Sequence, residues 1–287
     1  MNIVGEAIKI DTSEEIKKAE LKCKSDSRKI LKKEIFLLDE TINFLYCLSL
    51  TGHTVMKKTR GKNSNLSLFL FSTLRCCHQL LAIKKLVSSG FEDSARIISR
   101  TLIETLDILI ASLIDEQFAK LYANEPEEKF WNNNIAYGKI KKFLDEAIDI
   151  AKLDEEFREN FYSRRTFLKD LFSSSVHSSL FSMLNSVYTS SIEDNEVLQK
   201  ACFGVIGKGA SELLLAVVDL VYIYNFLMIN ISLSDDPLVW FNKLKLKKFE
   251  FYTRSFAGNF FTYQDIIQKY LYNNIIKDEC PPWQLET

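Results

Sequence analysis

Apolar residues recur at helical spacing through most of the chain and rarely alternate for long, so the pattern predicts helices. Ser13 to Lys24 is polar and lysine-rich, a short surface helix; a second helix starts near Ser25 and runs towards Lys58 with a bend at Gly52. A third spans roughly Leu66 to Ser88, capped by Asn63 or Asn65 and stopped by Gly90. A fourth, Gly90 to Leu113, follows after almost no loop, which predicts an antiparallel pair. Further helices are expected over Glu127–Lys152, after Pro126, and from Asp154 through Leu171 into the serine cluster at 173–179. Asn195–Ser232 is the most apolar segment; Gly204, Gly207 and Gly209 in it predict close helix approach or a break near residue 207. After Pro237 the pattern changes: Leu244–Tyr252 alternates briefly, and either a hairpin at Gly258-Asn259 or an interrupted helix fits, before Tyr263–Ile276 returns to helix.

The fourth helix is apolar around most of its circumference yet carries Arg96, Arg100, Glu104 and Asp107 along one stripe, at spacings of 4, 4 and 3. Buried charges of this kind are either paired or face a cleft. Leu213–Ile231 has the length to span a bilayer. Glu212 and Asp219, seven residues apart on one face, favour a buried central helix without membrane contact.

Composition sharpens this to an all-α bundle of long antiparallel helices, because Gly (9) and Pro (4) are scarce for 287 residues. The expected organisation is an N-terminal extension (1–24), a helical core domain (25–234) and a small C-terminal appendage (235–287). A net charge of −1 singles out no class of partner, so any basic surface must be local, as in the Lys57–Asn65 loop. The six cysteines form no C-x-x-C pair, and the chain opens without a basic, apolar leader; both suit reduced thiols in the cytoplasm. Three scattered histidines suggest no metal, and no cofactor motif is present. His78, among Leu and Cys, reads as a core residue.

Two functional readings follow from the charged positions. In one, Arg100 pairs with Glu104 or reaches Glu212 or Asp219, and the network sets helix register in a non-catalytic interaction module. In the other, His177 does acid–base chemistry on a phosphodiester, with Arg100 and Glu104 beside it and Arg96, Ser173, Ser174 and Lys208 holding substrate. Asp170, Ser173 and His177 share a face if their helix is unbroken. The aromatic and basic stretch Lys243–Tyr263 suits a packing flap or a dimer contact better than base stacking.

The run G-F-x-x-x-A-R-x-x-x-R-T-L-I-E-T-L from Gly90 to Leu106, with S-S-x-V-H-S from Ser173 to Ser178, resembles an uncharacterised bacterial helical domain family. That family is in turn distantly similar to the HEPN superfamily. The resemblance covers about residues 30–230 and implies a bacterial defence or toxin-type protein, with metal-independent cleavage of RNA, a homodimer and a partner protein as expectations. Active HEPN nucleases carry an Arg followed by His after four to six residues. This chain lacks that spacing, so an Arg–His pair has to be assembled across helices, with Arg100 the leading candidate.

Overall fold

The computed structural model describes residues 12–58, 64–173, 184, 188–192, 196–199, 205–234 and 250–272. They form an all-α bundle: α1 (Thr12–Ile30), α2 (Lys32–Lys58), α3 (Ser64–Ser88), α4 (Glu92–Ile114), α5 (Glu116–Asn124), α6 (Glu127–Asn134), α7 (Lys141–Ile150), α8 (Glu155–Ser173), α9 (Lys208–Leu233) and α10 (Glu250–Ile267). A short hairpin, β1 (Tyr188–Ser190) with β2 (Val197–Gln199), pairs antiparallel with Thr189 opposite Leu198.

The expected α3/α4 hairpin is present, and its turn has a clear cause. Gly90 adopts φ +82°, its N–H bonds the Val87 carbonyl, and the Phe91 N–H bonds Leu86 O. These two bonds close a glycine-terminated helix end. Gln79 Nε2 donates to Thr101 Oγ1 at 2.9 Å and Asn65 Nδ2 to Ser112 O at 3.1 Å, which sets the antiparallel register. Asn65 is therefore a buried tie between helices and not the cap of α3. Asp115 and Asp154 do cap, accepting from the N–H groups of Gln117 and Phe157.

Several expected boundaries shift. The α1–α2 junction falls at Leu31, fully buried, and Leu31 N–H still bonds Ser27 O, so the two helices run on almost without a break. Gly52 does not interrupt α2; a Cβ there would stand 3.7 Å from Leu70, an ordinary contact, so the packing of α3 on α2 does not require a glycine. The single helix expected over Glu127–Lys152 is two helices, broken where Tyr137 (φ +55°) and Gly138 (φ +78°) enter the left-handed region. The hairpin weighed for 244–263 is not there in the described part: residues 250–267 are helix, and the strands lie at 188–199.

Nor do residues 250–272 form an appendage. Phe256, Phe260, Tyr263 and Ile267 are buried in the same core as α2 and α9. Tyr263 stacks on Phe44 with centroids 4.3 Å apart and shares a hydrogen bond of 3.0 Å with Thr41. Asn225 of α9 donates to Phe260 O (3.2 Å) and to Gln264 Oε1 (3.0 Å). Cys23, inside the expected N-terminal extension, is equally part of that core.

Helices α2, α3 and α9 are each long and apolar enough to cross a membrane; 50%, 61% and 78% of their most apolar stretches are buried within the bundle. Cys23, Cys76 and Cys77 are buried free thiols and Cys47 is an exposed one. Burial pushes the Cys77 thiol up to about 12. His78, expected in the core, is exposed.

Candidate functional site

The charged stripe of α4 does not converge on one place. Arg100 Nη1 lies 2.8 Å from Glu104 Oε1, one turn away on the same helix and half-buried. The angle of that contact leaves Nη1 without a true hydrogen bond. Glu104 also lines a cavity of about 540 Å³ between α3, α4, α5 and α6, together with Phe71, Arg75, Tyr122, Glu127 and Trp131. Among the described residues Arg100 pairs with Glu104 and with neither Glu212 nor Asp219, and Asp219 is taken by another cation, Arg164.

That cation comes from α8, where Arg164 and Arg165 are adjacent in sequence but turn to different helices. Arg165 grips Asp107 side-on: Nε donates to Oδ1 at 3.1 Å and Nη2 to Oδ2, while the Tyr224 hydroxyl also donates to Oδ1. Three helices (α4, α8, α9) thus meet at one carboxylate that is only 1% exposed. Arg164 Nη1 contacts Asp219 Oδ1 at 3.5 Å and donates to the Tyr272 hydroxyl at 3.3 Å, and Tyr272 donates to Asp219.

The ionisations follow from these surroundings. Burial alone would lower the Arg165 guanidinium, but Asp107 and Tyr224 outweigh it and hold it above its ordinary value. Burial raises the Asp219 carboxyl, and Arg164, touching it with one nitrogen, offsets only part of this. The Tyr224 and Tyr272 phenols are raised by burial and by the carboxylates beside them, so both remain donors.

Arg96 and Lys208, both expected to hold substrate, line one cleft of about 410 Å³. Its walls are the first turns of α4 and α9, the β1–β2 hairpin and Leu171 of α8, with Glu92, Glu212 and Tyr188 among them. Two contacts set the geometry. Glu92 lies against Gly209, and Tyr224 bonds Asp107. These two contacts, one near each N-terminus and one further along, make α4 and α9 parallel neighbours with their N-termini at the same end. Gly207 permits the hairpin to close this end: a Cβ there would fall 2.1 Å from Thr189 Oγ1 and 2.6 Å from Ser190 O.

Arg96 is 6% exposed, its Nε has no hydrogen-bond partner, and among the described residues it forms no ion pair. Ser173 is half-buried at the last described turn of α8 and is not part of the cleft wall. His177 and Ser174 lie outside the described residues. Among the described residues no group of His, Cys, Asp and Glu is placed to hold a metal ion.

The residues that pure spacing missed are Arg164, Arg165, Tyr224 and Tyr272. A signal existed: two carboxylates on two largely buried apolar helices need two buried cations, and α8 carries adjacent arginines between aromatic residues. No protein-family model, no curated protein and no solved structure matches the chain.

Proposed function

We propose that this is a non-catalytic helical binding module, whose buried charges set the packing of its helices and whose recognition site is the cleft at the N-terminal ends of α4 and α9. The observation that carries this reading is the use of three acidic groups within α4 and α9. Asp107 is held by Arg165 and Tyr224, Asp219 by Arg164 and Tyr272, and Glu104 by Arg100 on its own helix. Groups so engaged serve packing first. Arg96 is the exception, a buried cation left over for something outside the bundle.

The second reading, a HEPN-like ribonuclease of a bacterial defence or toxin system acting as a cytoplasmic homodimer, is favoured by that same Arg96, whose guanidinium suits an RNA phosphate. His177 would supply its acid–base group. The two readings separate on incubation of the full chain with single-stranded RNA in the presence of a chelator. The binding-module reading expects intact RNA with the unmodified chain and with His177→Ala alike. Cleavage that disappears in His177→Ala at unchanged melting temperature would replace it by the nuclease reading.

A further inference from the structure

We propose that the Arg96 cleft binds the phosphate group of a small phosphorylated molecule, an assignment that rests on the binding-module reading and names its ligand class. Three independent features point to an oxyanion. First, Arg96 is almost fully buried with an unsatisfied Nε, a costly arrangement unless an acceptor arrives from outside. Second, α4 and α9 begin side by side, and neither has a side-chain cap: Phe91 and Gly207 stand at the cap positions. Two parallel helix starts place backbone N–H groups and the positive ends of two helix dipoles at one end of the bundle. Third, Lys208, in the first turn of α9, adds a second cation to the wall.

Two carboxylates in the same wall decide what kind of phosphate fits. Glu92 lies against the first turn of α9 and already offsets part of the positive field there. Glu212 stands one turn beyond Lys208. Together they repel a continuous polyanion, and the part-buried Glu212 can accept hydrogen bonds from the hydroxyl or amino groups of a small molecule. A volume of about 410 Å³ is that of a small-molecule site. Tyr188, 42% exposed, and Leu171 supply an apolar and aromatic side for the rest of the ligand. A phosphate on a hydroxylated or amino-bearing body satisfies every wall, and a nucleic-acid strand does not.

The test is calorimetric titration of the full chain with inorganic phosphate and with ribose 5-phosphate, with ribose and a single-stranded oligouridylate as controls. The expected result is millimolar or tighter binding of ribose 5-phosphate, weaker binding of phosphate and none of ribose. Arg96→Met keeps the apolar stem while removing the charge and should weaken binding about tenfold or more; Arg96→Lys should restore part of it. Hydrogen exchange on the unmodified chain reads the same site without a variant: ribose 5-phosphate should slow exchange at the amides opening α4 and α9. No heat with either phosphate, equal affinity in a folded Arg96→Met, or exchange unaffected at both helix starts overturns the proposal. Preferential binding of the oligouridylate overturns it as well and gives the cleft to RNA. Loss of phosphate binding without RNA cleavage removes this ligand while leaving the binding-module reading in place; His177-dependent cleavage removes both.

Discussion

Arg100 and Asp107 stand two turns apart on α4, and their environments give the two charges different energetic weight. Arg100–Glu104 is a half-buried pair on one helix face, and pairs of that kind contribute about 0.3–0.5 kcal/mol. Glu104→Ala should therefore move the urea midpoint only slightly, and a loss above about 2 kcal/mol would show that its role is more than this. Asp145 gives a pH test. Burial works to raise its carboxyl, but hydrogen bonds from Lys141, Tyr162 and Arg158 outweigh this and hold it below its ordinary value of 3.8. A depressed carboxyl contributes stability that is present above the unfolded value and is lost as pH falls through the folded one. Asp145→Asn should cost on the order of 1 kcal/mol at neutral pH, and the difference should vanish in acid, below the folded-state value. A difference that persists there would assign the effect to shape. At this scale the sequence made the charged positions legible, because charges on greasy helices stand out. It did not reveal their partners, because Arg164 and Arg165 lie 55 and 58 residues from theirs, and spacing along one helix says nothing about contacts between helices.

The helices themselves were legible where cap and stop chemistry is local. Gly90, Asp154 and the tight α3/α4 turn all act where the pattern put them. Breaks imposed by left-handed residues were not legible: Tyr137 has no sequence signature for φ +55°, and Gly138 alone was too weak a signal. The β1–β2 hairpin escaped because strands of three residues offer too little alternation to recognise. The aromatic helix α10 read as a flap because aromatic spacing alone does not distinguish an exposed face from one buried on Phe44 and Asn225. Gly207 links element geometry to the site. Gly207→Ala places a methyl group on Thr189 and on the Ser190 backbone, which cannot yield without moving β1. The expected outcome is a loss of about 1–3 kcal/mol with faster amide exchange in β1. Unchanged stability and exchange would mean that the hairpin does not close the cleft.

At the scale of the molecule, two parallel helices, α4 and α9, form the axis. Asp107 and Asp219 fasten them to α8, and Tyr272 ties the segment after α10 to the same network. The core is continuous from Cys23 in α1 to Leu271. The expected boundary at residue 235 does not mark an end of packing, because the apolar face of α10 completes the surface that α2 and α9 leave open. This arrangement leaves a cross-braced interior and, among the described residues, a mixed-charge cleft at the end where α4 and α9 begin.

The measurement closest to the central claim, that the buried charges hold helices together, is urea unfolding of two variants. Asp107→Ala leaves Arg165 without its carboxylate, and breaking a buried pair from one side costs about 3–5 kcal/mol. Replacing all three partners with apolar side chains (Asp107→Leu, Arg165→Met, Tyr224→Phe) leaves no orphan and should recover most of that loss. A single variant as stable as the unmodified chain, or a triple variant no better than the single, would contradict the account.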